Sequence, residues 1–208
     1  MKKPDIIGVT KPVVFLLALL PALKLATELI SAFYFQAPLD LGANPAQTIE
    51  HITGDWCINF LMLTLLITPA RRLTHWNWLI RYRRMFGLFA FFYGVLHILA
   101  YLAFDKVFRF NDIIQDIFQR PYITVGMAAL LLMLPLAITS TRGWIRRLGK
   151  QWTNLHKLVY VSATLGVVHY WWLVKRDITW PLIYALILFI LLGSRFWFHL
   201  HKASRKQQ

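Results

Sequence analysis

Two histidines in separate apolar stretches of this 208-residue chain share a short sequence context. The runs Gly94-Val-Leu-His97 and Gly166-Val-Val-His169 place a glycine three residues before each imidazole. In a helix, such a glycine lies one turn from the histidine on the same face, where its missing side chain lets a flat ring system approach. An ionisable residue inside a spanning helix is a candidate functional site, so the matched pattern predicts that His97 and His169 ligate one metal centre.

The residues around these histidines favour haem over another metal. Zinc and copper sites commonly add cysteine or carboxylate ligands to histidine, and neither residue type occurs in the two apolar segments, 85–104 and 152–174. Two axial imidazoles fit a haem whose iron is bound from both sides. Cys57 is the only cysteine and no C-x-x-C-H run is present, so the sequence predicts b-type haem without covalent attachment.

His156 is a third candidate haem ligand. It precedes His169 by thirteen residues, which separates the two by about 20 Å along a helix and predicts a second haem near the other membrane face. The same spacing turns the two side chains about 140° apart. A kink near 162–166 could realign them, or they could face different neighbours, so the sequence is compatible with one haem or two.

Arg84 occupies the position in the third segment that corresponds to His156. It lies thirteen residues before His97, but a guanidinium stays protonated and is not a normal haem ligand. We expect Arg84 to pair with a haem propionate or a flavin phosphate, unless it only sets topology with its neighbouring arginines. His156 would then bind haem with a non-histidine or absent second ligand, or with a residue from elsewhere such as His75.

The segments that must position these residues are apolar and long enough to cross a membrane. The chain is 58% hydrophobic with a mean hydropathy of +0.51, above the range of soluble domains. We predict an all-α, six-helix transmembrane bundle in a single domain, residues 1–208, with haem between the third and fifth helices. The predicted spans are 12–35, 49–70, 85–104, 121–141, 152–174 and 178–197.

The net charge of +14 is distributed unevenly between the two ends of these segments. If the N-terminus is cytoplasmic, the inner connections and termini hold sixteen basic residues and one acid, whereas the outer connections hold five basic residues and seven acids. This asymmetry predicts that both termini are cytoplasmic. Because membrane topology accounts for the charge, a nucleic-acid-binding function is set aside.

Two loops and one charged pair carry further expectations. The arginine- and tryptophan-containing inner loop 71–84 is typical of a stretch at the lipid headgroups. The outer loop 105–120 is predicted to contain a short amphipathic helix that could dock a partner. Lys24 and Glu28 are four residues apart in the first segment, and we expect them to pair and to face the bundle interior.

Several longer runs resemble a known family. LIRYRRMFGLFAFFYGVLHILAYL at 79–102 and TSTRGWIRRLGKQWTNLHKLVY at 139–160, with HYWW at 169–172, resemble the ferric-reductase-like transmembrane proteins. Within that group, RPYIT at 120–124 and LGKQWTNLH at 148–156 are similar to the MsrQ (YedZ) family, the haem-binding membrane subunits of bacterial periplasmic methionine sulfoxide reductase systems. The resemblance covers about residues 12–197. The chain departs from the wider group in lacking a fourth histidine on the third segment.

The resemblance implies an electron-transfer subunit of the bacterial inner membrane that is not itself catalytic toward sulfoxide. It implies haem b and FMN as cofactors, and the quinone pool or a cytoplasmic flavin reductase as the electron donor. The implied acceptor is the periplasmic molybdopterin-containing methionine sulfoxide reductase subunit (MsrP). A cytochrome-b561-like or ferric reductase is an alternative function, and a transporter without redox activity is a third.

Overall fold

Nearly the whole chain is helical, because a backbone that crosses a lipid bilayer must satisfy its hydrogen bonds within each segment. The computed structural model describes residues 6–36, 41–174 and 177–204, and this part of the chain contains no strand. The all-α prediction is therefore confirmed for the described residues. The helices are α1 (Ile6–Phe35), α2 (Pro45–Thr74), α3 (Ile80–Ala100), α4 (Phe110–Gln119), α5 (Pro121–Ile138), α6 (Arg142–Leu148), α7 (Lys150–Leu155), α8 (Leu158–Leu173) and α9 (Thr179–Ser204).

Five stretches among the described residues are long and apolar enough to cross a membrane. They correspond to five of the six predicted spans and include a single turn of π-helix that extends α3. The sixth predicted span, 152–174, is represented by α7 and by α8, which has 16 residues. The five stretches are Gly8–Phe35, Pro45–Thr74, Asn77–Asp105, Pro121–Ile138 and Thr179–Phe198.

The prediction of one continuous helix over 152–174 is wrong. α7 ends at Leu155, and His156 and Lys157 separate it from α8. The Trp152 carbonyl accepts the backbone N–H of His156 at 3.0 Å and also lies 3.1 Å from Nδ1 of the same residue. Such side-chain bonding to a nearby backbone group competes with helix continuation. α8 itself runs unbroken through 162–166, so the kink considered there is absent.

The bundle is built from two closely packed helix pairs, α2 with α3 and α5 with α8. α9 packs against α8 and α2, and α1 makes a smaller contact with α3. Because the chain runs up and down through the bundle, segments 71–84 and 142–150 lie at the same end, which we call the arginine-rich end. Glu50, Asp105, Asp112 and Asp116 lie at the opposite end, which we call the acidic end.

Hydrogen bonds from side chains to backbone connect the helices inside the bundle. The Tyr93 ring stacks on Phe60 with centroids 5.5 Å apart, and its hydroxyl donates to the Ala18 carbonyl at 2.8 Å. Ser162, which is fully buried, donates to the Ala129 carbonyl at 2.9 Å and joins α8 to α5. Where lipid replaces water, such bonds and close packing hold helices together.

α1 lies at the edge of the bundle. Lys24 and Glu28 pair at 3.7 Å, which confirms the contact predicted from their spacing. The prediction that both face the interior is wrong for Lys24, whose side chain is 81% exposed, whereas the Glu28 side chain is 23% exposed. The exposed face of α1 is otherwise apolar, and a long lysine stem can carry its amine along such a surface toward the headgroups.

α4 confirms the short amphipathic helix predicted in the loop 105–120. Its buried Asp116 lies 2.5 Å from Nζ of Lys106, accepts a 2.9 Å hydrogen bond from the Tyr101 hydroxyl and lies 3.5 Å from Nε of Arg120. Burial opposes ionisation of this carboxyl, but the hydrogen bonds from Lys106 and Tyr101 and the charge of Arg120 outweigh it. They hold the pKa of Asp116 below its usual value, so the carboxylate fastens α4 to the acidic end.

Candidate metal centre

The two helix pairs bring the rings of His97 of α3 and His169 of α8 next to each other. Their ring centroids are 6.2 Å apart and the ring planes are inclined by 77°. The sequence placed the two residues at the same depth in different helices, and the structure places them against each other. The side chains therefore form one site rather than two.

Each imidazole is oriented by a backbone carbonyl of the neighbouring helix in its own pair. Nδ1 of His97 lies 2.9 Å from the Glu50 carbonyl of α2, and Nδ1 of His169 lies 2.7 Å from the Tyr122 carbonyl of α5. A carbonyl can only accept, so Nδ1 carries the proton and Nε2 carries the lone pair. None of the hydrogen bonds among the described residues uses Nε2 of either ring, which leaves both nitrogens available as ligands.

The spacing of the two rings matches a metal held between them. A metal–imidazole bond of about 2.0–2.1 Å, with about 1.1 Å from the nitrogen to the ring centre, puts two axial rings about 6.3 Å apart. The observed separation is 6.2 Å. Hydrogen bonding of the outer nitrogen also raises ligand basicity and fixes the ring, as in many metal sites.

A cavity surrounds the two histidines. It has a volume of about 710 Å³ and is lined by α2, α3, α5 and α8, a size that suits an organic cofactor. The residues present therefore fit a haem: two facing imidazoles with free lone pairs, and apolar walls between four helices. Apolar residues lining it include Ile58, Leu61, Ile98, Leu130 and Met133.

Gly94 and Gly166 both line this cavity, as the predicted approach of a flat ring requires. A side-chain carbon on Gly166 would meet only Leu61 at 4.0 Å, so the space beside it belongs to the cavity. A side-chain carbon on Gly94 would lie 3.0 Å from Leu130 and 3.3 Å from Sγ of Cys57. Gly94 therefore also serves close helix packing, which is the alternative role of small residues in membranes.

Polar residues collect where the cavity reaches the acidic end. Glu50, His51, Asp55 and Asp105 lie on its lining there. Nε2 of His51 is 3.5 Å from the Gln47 side-chain amide. No group of three or more histidine, cysteine or acidic residues among the described positions is arranged to bind a metal ion.

His156 lies apart from this site, toward the arginine-rich end, and its ring stacks on Trp152 with centroids 3.9 Å apart. Its Nε2 is buried and makes no hydrogen bond with the residues that the structure describes. The Leu136 carbonyl also interacts with the ring. An imidazole nitrogen buried without a partner is costly, which is what a ligand to an absent group would show.

Arg84 is exposed and lies in the same region as His156. Its Nη1 donates to the Ser140 carbonyl at 3.3 Å, and Nε1 of Trp152 donates to the adjacent Thr139 carbonyl at 2.9 Å. Arg84 and the ring partner of His156 therefore bind neighbouring carbonyls at the end of α5. Arg84 and His156 therefore lie at the same end of the bundle.

The sequence reasoning missed two glycines, Gly54 of α2 and Gly126 of α5. Each lies four residues after the carbonyl that binds a histidine, and each packs against that histidine ring. The sequence does contain a signal for them. The pattern Gly54, Gly94 and His97 is repeated 72 residues later as Gly126, Gly166 and His169. Comparing the chain with itself at a shift of 72 residues would have revealed both glycines.

Comparisons with known proteins agree with this architecture. Residues 53–167 match the family model described as the ferric reductase like transmembrane component. Proteins named protein-methionine-sulfoxide reductase heme-binding subunit MsrQ are similar over most of the chain. The one from Herminiimonas arsenicoxydans is 48% identical over 205 residues, covering 97% of this chain and 91% of that protein. The one from Azospira oryzae is 52% identical over 194 residues, covering 92% and 80%, and the one from Xanthomonas oryzae pv. oryzae is 55% identical over 157 residues, covering 76% and 72%.

Proposed function

The chain belongs to the ferric-reductase-like transmembrane family and, within it, to the MsrQ haem-binding subunits, and from that premise we propose that it carries electrons across a membrane on b-type haem. The observation that carries the proposal is the pair of facing imidazoles, 6.2 Å apart in a cofactor-sized cavity. His97 and His169 bind the iron, and Gly94 and Gly166 give the macrocycle room.

The protein's contribution to electron transfer is to hold and tune this centre. A haem with two axial histidines supplies one-electron redox chemistry without an open coordination position for substrate. The Glu50 and Tyr122 carbonyls keep Nδ1 protonated and the rings fixed, so little reorganisation accompanies a change of charge at the iron. Apolar side chains line much of the cavity around this centre.

The electrons serve the reduction of methionine sulfoxide by a partner protein. We place the chain in the bacterial inner membrane with six crossings, α8 being one of them, and with the arginine-rich end in the cytoplasm. The acidic end then faces a periplasmic molybdopterin-containing reductase subunit, MsrP, as acceptor. The quinone pool or a cytoplasmic flavin reductase is the donor, and FMN is a further cofactor.

The test of this function combines a spectrum with a reoxidation assay. The purified protein should give a reduced-minus-oxidised difference spectrum of b-type haem. The reduced protein should be reoxidised when a periplasmic methionine sulfoxide reductase and methionine sulfoxide are both added, and stay reduced with either alone. Absence of haem would overturn electron transfer altogether. Reoxidation by ferric chelates, without any response to the reductase, would assign a ferric reductase instead.

A second haem at the arginine-rich end involves His156 and Arg84. The buried, unpartnered Nε2 of His156 supplies one ligand, and Arg84 pairs with a propionate of that haem or with a flavin phosphate. We expect His156→Ala to lower the haem content per polypeptide, measured as pyridine haemochrome, while the signal of the His97–His169 haem stays. Arg84→Gln should lower cofactor occupancy or shift one midpoint potential.

Arg81→Gln is the matched control, since Arg81 is exposed in the same loop and contributes the same charge to topology. It should leave haem content and potentials at the wild-type values. If Arg84→Gln behaves like this control, Arg84 is a topology residue. If His156→Ala also keeps full haem content, the chain holds a single haem.

A further inference from the structure

The haem-binding half-sites of α2–α3 and α5–α8 are built to one plan. In each, a histidine donates Nδ1–H to a carbonyl 47 residues earlier in the chain, on the other helix of its pair. In each, the residue one turn after that carbonyl is a glycine. Backbone carbonyls within a helix already accept a helical hydrogen bond, and a second donor reaches them only from the side. The glycine leaves that side open.

The space beside each glycine can be judged from the distances that an added side-chain carbon (Cβ) would have to its neighbours. A side-chain carbon on Gly126 would lie 2.7 Å from Nδ1 and 2.8 Å from Cε1 of His169. On Gly54 it would lie 3.2 Å from Nδ1 and 3.3 Å from Cε1 of His97. Carbon contacts are favourable near 3.5–4.0 Å, so alanine at Gly126 collides with the ring and alanine at Gly54 presses on it.

The collision cannot be relieved without losing the orientation of the imidazole. The ring is flat and rigid, and its Nδ1 is held at 2.7 Å from the Tyr122 carbonyl. A displacement of a few tenths of an ångström away from Gly126 weakens this bond and turns Nε2. The neighbouring atoms at Gly54 and Gly126 are ring atoms, not the far ends of flexible side chains.

We propose that Gly54 and Gly126 are positioning residues, which admit the His97 and His169 rings to their carbonyl acceptors and so set the axial ligand geometry. Gly126 leaves less space beside the His169 ring than Gly54 leaves beside the His97 ring, so we expect substitution of Gly126 to have the larger effect. This inference rests on the proposed haem ligation by the two histidines. It adds to it the residues that fix ring orientation and hence the redox potential.

The test uses the full-length protein purified with its haem, in Gly126→Ala and Gly54→Ala variants. Removal of an outer contact to a metal-bound histidine commonly costs about 10–100-fold in metal affinity. We expect haem affinity to fall about tenfold or more in Gly126→Ala and by less in Gly54→Ala. The low-spin ferric EPR signal, which reports the angle between the imidazole planes, and the midpoint potential should shift in both variants.

Two helical glycines serve as matched controls. A side-chain carbon on Gly193 would meet nothing within 4 Å, and on Gly87 only Thr64 at 3.7 Å. Alanine at either position should leave haem affinity and the EPR signal unchanged. Wild-type values in both Gly126→Ala and Gly54→Ala would overturn the proposal, whereas a wild-type protein that binds no haem would instead overturn the proposed function.

A double-mutant comparison separates positioning from a general packing defect. In a His169→Ala background the ring is gone, so Gly126→Ala should not lower the thermal unfolding midpoint any further. If Gly126→Ala lowers the midpoint equally with and without the His169 ring, Gly126 acts through helix packing, and the proposal fails for that residue. If Gly126→Ala does not accumulate in the membrane, Gly54→Ala, with its larger clearance, carries the spectroscopic test.

Discussion

Replacing either His97 or His169 by alanine should abolish the same low-spin haem. The two rings face one another at 6.2 Å, and each has its Nε2 free while Nδ1 is bound to a carbonyl. Loss of either imidazole leaves the iron five-coordinate, so the remaining haem becomes high-spin or is lost. Absorption and EPR spectra of the purified variants measure this, and the two variants should lose an identical signal. Electron transfer to the partner reductase should fall to background in both.

His51→Ala is the control for this prediction. His51 lines the same cavity at the acidic end, where its Nε2 lies 3.5 Å from the Gln47 amide. Its removal should keep the low-spin spectrum. An unchanged low-spin spectrum in His97→Ala or His169→Ala would mean that the facing pair does not ligate iron. Loss of the signal in His51→Ala would point to a different ligand set.

Asp116→Asn should strongly destabilise the acidic end. The Asp116 side chain is 10% exposed and bonds to Lys106, Tyr101 and Arg120. The Lys106 side chain is itself only 13% exposed, and its other partner is Asp105 at 3.7 Å. Breaking a buried ion pair by removing one partner costs about 3 kcal/mol or more, because the other charge stays buried. We expect a lower thermal unfolding midpoint and faster loss of haem, since Tyr101 and Arg120, which both bind Asp116, line the cavity.

Asp112→Asn provides the matched change on the same helix. Asp112 pairs with Arg109 at 3.7 Å with both side chains largely exposed, and such pairs contribute about 0–1 kcal/mol. Its unfolding midpoint should stay near that of the wild type. Equal midpoints for Asp116→Asn and Asp112→Asn would show that the buried carboxylate does not stabilise this end.

Acidification should mimic the Asp116 substitution. The pKa of Asp116 is lowered in the folded protein, so its contribution is fully present above the unfolded value of about 3.9. The contribution is lost as the pH falls through the folded pKa. The unfolding midpoint of the wild type should therefore decline below about pH 4, and Asp116→Asn should flatten that decline. An equal decline in both proteins would assign the acid sensitivity to other carboxylates.

The sequence singled out the two histidines that meet in the fold, but not the groups that orient them. His97 and His169 were identified because their G-x-x-H context repeats within apolar segments at the same depth. Their Nδ1 partners are backbone carbonyls, which carry no residue signature, so only the packing of α2 on α3 and of α5 on α8 reveals them. The associated glycines, Gly54 and Gly126, lie on other helices and looked like ordinary small residues.

Helix boundaries were the weaker part of the prediction. Hydropathy cannot register the bond between the His156 ring and the Trp152 carbonyl, so the break at 156–157 was missed. Hydropathy also does not show which way a side chain points from its helix. The pairing of Lys24 with Glu28 was therefore predicted correctly, but the exposure of Lys24 was not. The Asp116 cluster depends on residues from α4, the preceding π turn and the start of α5, which only the fold assembles.

The division of the bundle into two helix pairs has a consequence for biogenesis. Under the proposed ligation each pair would supply one histidine to the same haem, so a bound haem would link α2–α3 to α5–α8. A ligand that binds only the assembled state adds its binding free energy to assembly. Newly inserted chains would therefore be less stable, and more open to membrane proteases, until haem binds. Haem supply would then set how much of the protein persists in the membrane.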